Sequence, residues 1–238
     1  STLLSWRDRL VGGQLVLPGT GVTELEPELQ AKLHIDNPWW RGLPPPVVPP
    51  FQRDLVAAIQ RRLAQRIAPV VVVRGPRQVG KTTAQRQLIE HLLGQGVDPK
   101  HILRVQFDEL PSLRGWQEPI LRIVEWYQHA ILGETLNQTA RRGGKTYLFF
   151  DEVQNLPDWA IQLKSLADST TTQVVVTGSS ALRIEAGRDS LAGRITSLEV
   201  GTLSLTEIAR LRGDAPVEPF HHENGLDRLT RREFWTDL

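Results

Sequence analysis

One segment of the chain combines glycines, a lysine and threonines at the spacing of a phosphate-binding loop. Residues 75–82 read GPRQVGKT and fit the pattern G-x-x-x-x-G-K-[ST]. In this pattern the two glycines, here Gly75 and Gly80, let the backbone wrap around phosphates. The lysine supplies positive charge to the β- and γ-phosphates, and the hydroxyl binds Mg²⁺. The predicted chemistry is the binding of a nucleoside triphosphate with Mg²⁺.

The residues that we expect to bind the nucleotide are Gly75, Pro76, Arg77, Gln78, Val79, Gly80, Lys81, Thr82 and Thr83. Among them, Lys81 is expected to act on the phosphates during catalysis and Thr82 to bind the metal. The loop follows an apolar, β-branched run at residues 70–73 and precedes an expected helix, whose first N–H groups attract phosphate. An ordinary glycine-rich turn is the alternative, but the flanking strand and helix argue against it.

A pair of acids, Asp151 and Glu152, ends the apolar run of YLFFDEVQ at residues 147–154. Ligands of open α/β sheets bind where the strands end, which is where these acids are expected. We assign Asp151 to the outer sphere of Mg²⁺ and Glu152 to the general base that polarises a water toward the γ-phosphate. Such a base beside the metal favours hydrolysis over transfer to a second substrate. The alternative is an acid pair that only complements a helix dipole.

Small hydroxyl residues end the next apolar run, VVVTGSS at residues 174–180. Thr177 and Ser179 are the candidates to hold the attacking water. The alternative, which has nearly equal weight, is an ordinary exit from a strand capped by serine and threonine.

Two arginines, Arg188 and Arg194, lie before the last apolar run. Because SLAGRI precedes the edge strand, we expect Arg194 on a loop near the phosphate edge of the sheet. Either arginine is then a candidate to reach the γ-phosphate as an arginine finger, within its own subunit or from a neighbouring one. A solvated loop arginine is the alternative.

Five apolar runs that alternate with helical patterns must position these residues. Strands are expected at residues 70–74, 102–107, 147–150, 173–177 and 195–200, the last at a sheet edge because its alternation is weaker. Helices are expected at residues 80–93, between residues 116 and 131, and at residues 159–166. This alternation predicts an α/β fold with a parallel sheet, right-handed crossovers and helices on both faces.

The first 50 residues precede this core and lack its pattern. A short helix is expected at residues 27–33, and six prolines among residues 37–50 predict an extended arm. Trp39 and Trp40 either stack on adenine or pack on the core, and we favour the core. The core begins with a helix whose apolar residues recur at every fourth position from residue 51 to residue 67.

A new helix is expected after the sheet, because Ser204 and Glu207 have the spacing of a capping box. The residues that follow are polar, with a short helix expected at 226–235. We divide the chain into an N-terminal arm (1–50), a P-loop ATPase core (51–203) and a segment 204–238. We expect that segment to be the start of a helical lid or second domain in a truncated chain.

Composition excludes several classes of protein. The hydrophobic content of 40% is ordinary for a globular chain, and a net charge of +1 gives no bulk field that attracts nucleic acid or membranes. The absence of cysteine excludes disulfides and thiolate metal sites and fits a reducing compartment. No apolar run is long enough to span a bilayer and no signal-peptide pattern occurs, so we expect a cytoplasmic protein without a membrane partner.

Seven motifs in this order make the chain resemble a known family: NPWWR, GPRQVGKTT, QFDEL, FFDEVQNLPDW, VVVTGSSALRI, DSLAGRI and LEVGTLSLTEI. The family consists of bacterial and archaeal AAA-type ATPases related to the archaeal ATPases and the signal-transducing STAND group, and the resemblance covers residues 37–208. It implies a P-loop NTPase fold with a five-stranded parallel sheet of order 5-1-4-3-2. Members typically continue into a winged helix and an endonuclease-like domain, so this chain is expected either to be truncated or to lack that part.

The resemblance also implies roles for individual residues. They are Lys81 and Thr82 for phosphate and Mg²⁺, Asp151 and Glu152 as the Walker B pair, residues 177–179 at the sensor position, and Arg194 as the basic residue of SLAGR. The chain departs from the family at one point. Its sensor strand ends in Thr-Gly-Ser-Ser, where many AAA proteins carry asparagine.

The function implied is Mg²⁺-dependent binding and hydrolysis of ATP, coupled to a partner or a DNA-related event. The alternative is a slow nucleotide-dependent switch or scaffold with little turnover. A GTPase is disfavoured because no N-K-x-D motif follows the fourth predicted strand, and an ABC-type ATPase because LSGGQ is absent. The expected ligands are ATP and Mg²⁺. Candidate partners are DNA or a protein, reached through missing C-terminal parts, and a second copy of the chain in a homo-oligomer.

Overall fold

The centre of the molecule is a five-stranded parallel sheet. A computed structural model describes residues 24–65, 68–178, 191 and 193–213, and the backbone of four short strands at residues 10–11, 14–15, 220–223 and 226–229. The strands of the central sheet are β1 (Val70–Arg74), β2 (Ile102–Gln106), β3 (Tyr147–Asp151), β4 (Gln173–Gly178) and β5 (Ile195–Glu199). Their order is β2, β3, β4, β1, β5, which confirms the expected order 5-1-4-3-2.

The inner strands are apolar because both faces of the sheet are covered. Val70 and Val72 of β1 belong to one cluster of buried side chains, and Val71 and Val73 belong to another. A strand buried on both faces has a continuous apolar run instead of alternation. Strand β5 is only partly buried and, among the described residues, pairs only with β1, as predicted for an edge.

Residues 37–40 cover the other edge of the sheet, at β2. The Asn37 side-chain amide donates to the carbonyl of Arg104 over 2.9 Å and accepts from its N–H over 2.7 Å. The indole N–H groups of Trp39 and Trp40 both donate to the carbonyl of Ile102. Edge strands need such cover because their free backbone groups otherwise pair with other chains. The tryptophans therefore pack on the core at the start of β2, as we favoured over stacking on adenine.

Helices lie on both faces of the sheet. They are α1 (Pro27–Asp36), α2 (Asp54–Gln65), α3 (Lys81–Gly94), α4 (Pro119–Tyr127), α5 (Leu136–Arg141), α6 (Trp159–Ser169) and α7 (Leu205–Arg212). The helix expected between residues 116 and 131 is shorter, because α4 passes into a π-helical turn at Gln128–Leu132. Helix α5 was not predicted, although Thr135 and Gln138 form a capping box at its start.

The described part of the predicted arm contains more regular structure than expected. Helix α1 is longer than predicted, and Leu25, Leu29 and Leu33 are buried in the core. Residues Pro38–Arg41 form a 3₁₀ turn where extended chain was predicted, since proline is well suited to the first position of a helical turn. Residues 43–49 have no regular structure, as expected for a proline-rich segment. The domain limits at residues 50 and 203 stay predictions.

Helix α7 follows the sheet and begins at the predicted capping box. The Ser204 hydroxyl accepts from the N–H of Glu207, and the Glu207 carboxylate accepts from the N–H of Ser204. Further along, Phe220–Glu223 pairs antiparallel with Leu226–Leu229. The helix predicted at 226–235 is therefore wrong over residues 226–229, because the Asn-Gly between these strands is a hairpin signal that outweighs the helical pattern. Its remaining residues lie outside the described part.

None of the helices in the described ranges has both the length and the apolar character needed to cross a bilayer.

Candidate functional site

The phosphate loop joins β1 to α3 at the edge of the sheet where the strands end. Gly80, the residue before α3, has φ of 90°, and Gln78 has φ of 63°. This left-handed region costs a residue with a side chain roughly 1–2 kcal/mol, whereas glycine adopts it freely. The second glycine of the pattern is therefore required by the turn into the helix.

Glycine is required at position 75 for a different reason, the close approach of the Val200 backbone. A Cβ atom at this position would lie 2.1 Å from the carbonyl oxygen of Val200, which directly follows β5. The N–H of Val200 also donates to the carbonyl of Arg74 over 2.9 Å. The segment after the sheet thus rests on the first residue of the phosphate loop. The expected role of Gly75 in wrapping phosphates stays a prediction.

Lys81 begins α3 and folds back over the loop. Its ammonium donates to the carbonyl oxygens of Gly75 over 2.9 Å and of Pro76 over 2.5 Å, and the residue is only 4% exposed. Burial lowers the pKa of Lys81, while the nearby carboxylates of Glu152 and Asp151 act in the opposite direction. The ammonium of Lys81 is therefore bonded to the loop carbonyls and is also attracted by the two carboxylates.

Asp151 is fully buried at the end of β3, and both of its carboxylate oxygens are bonded. Oδ1 accepts from the hydroxyl of Thr177 on β4, and Oδ2 accepts from the guanidinium of Arg104 on β2 over 3.2 Å. Burial lowers the pKa of Arg104, and the charge of Asp151 opposes this shift. The strands on either side of β3 thus orient the carboxylate and balance its charge.

Glu152 leaves the sheet in a backbone conformation that is uncommon for a residue with a side chain, with φ of 56°. Its N–H donates to the Thr177 hydroxyl over 3.3 Å, and its carboxylate accepts from the amide of Gln154. The Asn155 amide donates to the Glu152 carbonyl over 2.9 Å. Strain of this kind costs about 1–3 kcal/mol and is concentrated at functional sites.

Thr177 has a different role from the one predicted. The residue is 1% exposed, and its hydroxyl donates to Asp151 while it accepts from Glu152. A hydroxyl with these two partners positions the acids and is not presented to an attacking water, so the water-holding assignment is corrected. Ser179, the other candidate, lies outside the described residues.

A cleft of about 540 Å³ brings the phosphate loop and Glu152 together. The predicted residues that line it are Arg77, Gln78, Gly80, Lys81, Thr82, Thr83 and Glu152. Three further residues, Asp108, Arg114 and Asn155, line it without having been predicted. The signal for Asp108 was available, because QFDEL begins with Gln106, the last residue of β2, which pairs with Asp151 at the same edge of the sheet. Arg114 had no comparable signal.

The oxygen donors of this cleft suit Mg²⁺. They are the hydroxyl of Thr82 and the carboxylates of Asp108 and Glu152, with Asp151 buried behind them. Within the described ranges, no group of three or more acidic or histidine side chains is placed to hold a metal ion by itself. Mg²⁺ in nucleotide sites binds through one or two protein groups plus phosphate oxygens. The donor set therefore fits a Mg²⁺ that enters with a nucleotide. The expected roles of Thr82 as a metal ligand and of Asp151 in the outer sphere stay predictions, and Asp151 does not line the cleft itself.

Arg194 lies at the opposite end of the sheet from the phosphate loop. It precedes Ile195, which pairs with Val70, so the full length of β1, roughly 16 Å, separates the level of Arg194 from the loop. Its guanidinium is bonded to Asp168 in the last turn of α6. The prediction of a position near the phosphate edge, and with it a finger acting within one subunit, is wrong. A finger reaching a neighbouring subunit stays a prediction, and Arg188 lies outside the described residues.

Comparisons with known proteins agree with this architecture. A family model described as an AAA domain matches residues 68–209. An uncharacterised protein of Methanocaldococcus jannaschii, MJ1637, is 28% identical over 166 residues, which are 68% of this chain and 33% of that protein. The chain thus spans about a third of this relative's length. The Walker-type ATPase PABY2304 of Pyrococcus abyssi has a similar fold, with a TM-score of 0.50 at 17% identity over 68% of this chain and 57% of that one.

Proposed function

The chain belongs to the AAA-domain family of nucleotide-binding, ATPase-type domains, and we propose that it binds ATP with Mg²⁺ in the cleft beside Glu152 and hydrolyses it. One observation carries the proposal. A single cleft contains the lysine and threonine suited to phosphate and metal, together with a carboxylate suited to a general base. Coupling to DNA or a protein partner, a homo-oligomer and a cytoplasmic location belong to the proposal and are supported only by the sequence motifs and composition.

Lys81 and Thr82 bind the phosphates and the metal in this proposal. The ammonium of Lys81 exchanges the carbonyls of Gly75 and Pro76 for phosphate oxygens, which are stronger acceptors because they carry charge. Thr82 at the start of α3 presents its hydroxyl to Mg²⁺, which when bound neutralises charge on the phosphates. The N–H groups at the start of α3 add further donors.

Glu152 is the general base. It takes a proton from a water whose oxygen attacks the γ-phosphorus, while the bond from that phosphorus to the leaving ADP oxygen breaks. Gln154 holds the carboxylate and Thr177 holds the backbone turn, so the base is oriented before the substrate arrives.

Arg114 is the arginine of the cleft that the sequence did not reveal. It lies on the 3₁₀ turn Pro111–Gly115, which the fully buried Leu113 anchors to the core. Its guanidinium has no hydrogen bond or ion pair to another residue in the described ranges, so it is available to negative charge in the cleft. We assign it to the stabilisation of charge that develops on the γ-phosphate.

A slow nucleotide switch is the second candidate, and two contacts favour it. The ammonium of Lys81 is bonded to its own loop, and the carboxylate of Glu152 accepts from Gln154. The ammonium must exchange the loop carbonyls for phosphate oxygens before hydrolysis, and the carboxylate must accept a proton while Gln154 binds one of its oxygens. A switch of this kind binds ATP tightly and turns it over slowly.

Turnover of ATP and GTP by the purified protein, with and without Mg²⁺ and with and without DNA, tests the proposal. We expect Mg²⁺-dependent hydrolysis with a preference for ATP. Glu152→Gln should bind ATP normally and lose turnover, because an amide keeps the shape but accepts no proton. Tight binding with negligible turnover by the unaltered protein would support the switch, whereas no ATP binding would contradict both candidates.

A further inference from the structure

Arg53 lies between the phosphate loop and the segment that follows the sheet. It stands directly before α2, and its side chain is 13% exposed. Its guanidinium donates to the carbonyl oxygens of Val79, Gly201 and Thr202 and to both carboxylate oxygens of Glu207, at distances of 2.5 to 3.0 Å. A guanidinium has five N–H donors, and this one uses all of them within the protein.

Glu207 is the second centre of this contact. Its carboxylate also accepts from the N–H groups of Asp54, over 3.0 Å, and Ser204, over 2.9 Å. Burial by itself would raise the pKa of Glu207, but hydrogen bonds from Arg53, Ser204 and Asp54 lower it to about 2. A charged, buried group therefore holds the start of α7 against the start of α2.

The bond from Arg53 to the carbonyl of Val79 acts on the phosphate loop itself. The peptide group that joins Val79 to Gly80 is planar and trans, so its C=O and N–H point in opposite directions. With the carbonyl held toward Arg53, the N–H of Gly80 is turned to the other side. Gly80 lines the cleft, so this N–H is one of those available to a phosphate.

We infer that Arg53 is a positioning residue for the nucleotide: it sets the phosphate loop through Val79 and, through Glu207, makes that setting depend on the position of α7. The inference rests on the proposed function, because it requires that the loop bind a nucleoside triphosphate. It goes further because Arg53 and Glu207 do not line the cleft. Movement of α7 breaks the bonds to Glu207 and releases Val79, and the linkage works equally in the other direction.

ATP dissociation constants of the unaltered protein, Arg53→Ala, Arg53→Lys and Arg210→Ala test this inference. Arg210→Ala is the matched control, because Arg210 also ties α7 to the start of α2, through Asp54 and the ring of Phe51, without contacting the loop. Calorimetry gives the affinity, and circular dichroism with thermal unfolding confirms that each variant is folded. The measurements are made at a temperature where all four proteins are folded.

We expect Arg53→Ala to weaken ATP binding about tenfold or more and Arg210→Ala to change it less than about twofold, since only Arg53 bonds to the loop. In Arg53→Lys a single ammonium replaces the fork of guanidinium donors, so we expect it to keep the pair with Glu207 and to lose the bond to Val79. Its melting temperature should therefore stay near that of the unaltered protein while its ATP affinity falls. If Arg53 had a purely structural role, the ATP affinity of Arg53→Lys would fall only if its melting temperature fell as well.

Three results would overturn the inference. They are an unchanged affinity in Arg53→Ala, equal losses in Arg53→Ala and Arg210→Ala, and, if Arg53→Ala does not fold, an unchanged affinity in Arg53→Lys. In each case ATP binding by the unaltered protein leaves the proposed function standing. Failure of the unaltered protein to bind ATP is a different result, which overturns the proposed function and the inference together.

Discussion

The hydroxyl of Thr177 joins the two acids of the candidate site, because it donates to the carboxylate of Asp151 and accepts from the N–H of Glu152. Strands β3 and β4 pair in parallel, with Phe150 opposite Val176, so the next residues, Asp151 and Thr177, meet where both strands end. One side chain thus orients the carboxylate of Asp151 and holds the strained turn that carries Glu152, the proposed base.

Replacing Thr177 by valine keeps the shape of the side chain and removes this junction. We expect the free energy of unfolding to fall by about 1–3 kcal/mol, because a buried carboxylate and a backbone N–H each lose a partner. Turnover per folded molecule should fall as well. Thr172→Val is the control, since Thr172 is a buried threonine bonded to Thr146 near the start of the same strand. Urea unfolding and ATP turnover of both variants check this, and equal turnover would contradict it.

Arg114 and Arg194 are distinguished by parallel substitutions. Arg114→Ala should lower turnover by about tenfold or more while ATP binding changes little, because a charge that develops in the transition state loses a partner. Arg194→Ala should leave turnover unchanged at protein concentrations low enough to keep the chain monomeric. A larger loss of turnover in Arg194→Ala than in Arg114→Ala would refute our assignment.

The remaining trans role of Arg194 has its own test in the same assay. If a neighbouring subunit supplies this arginine, turnover rises more than linearly with protein concentration, and mixing Arg194→Ala with Glu152→Gln restores activity. Linear activity without rescue on mixing excludes that role.

Gly75→Ala should destabilise the folded protein even without a nucleotide, because the added methyl group clashes with the backbone of Val200. The added methyl would meet the carbonyl of Val200 at 2.1 Å, and neither backbone segment can retreat without loss of the bond between Val200 and Arg74. We expect a loss of about 1–3 kcal/mol in the free energy of unfolding. Gly94→Ala, at the open end of α3, should be neutral or stabilising. Comparable losses in both variants, measured by thermal unfolding, would contradict this explanation.

Glu207 should make the free energy of unfolding depend on pH in the acidic range. Its pKa falls from 4.5 to about 2 on folding, so the unfolded state binds more protons between these values and stability rises with pH there. The contribution of Glu207 is fully present above about pH 4.5 and is lost as the pH falls toward about 2. Urea unfolding at several acidic pH values should show a weaker pH dependence for Glu207→Gln. Identical dependence in both proteins would count against the contact.

Much of the fold was predictable because strands and turns require particular residue types at neighbouring positions of the sequence. Strands buried on both faces require continuous apolar runs such as residues 70–73, and the turn into α3 requires glycine at position 80. The error on Arg194 was avoidable: a residue that precedes a parallel strand lies at the opposite edge from a loop that follows one. The helix predicted at residues 226–235 was wrong over residues 226–229 because the Asn-Gly hairpin signal was overlooked.

The contacts of Arg53 and Arg104 and the position of Arg114 were beyond prediction for a different reason. Arg53 and Glu207 are 154 positions apart, and Arg104 meets Asp151 across 47 positions. Periodicity and motif spacing report only on neighbours along the chain, so they carry no information about such pairs. An exposed arginine such as Arg114 has the same local signature whether it is solvated or lines a cleft.

The central claim, that ATP binds in the cleft formed by the phosphate loop, is tested most directly by the ATP affinity of Lys81→Ala in the presence of Mg²⁺. Within the part of the chain that the structure describes, the ammonium of Lys81 bonds only to loop carbonyls, so the variant should stay folded, which circular dichroism checks. We predict that the unaltered protein binds ATP and that Lys81→Ala binds it at least about tenfold more weakly, because the phosphates lose a charged donor. Equal affinity of a folded Lys81→Ala variant for ATP would contradict the account.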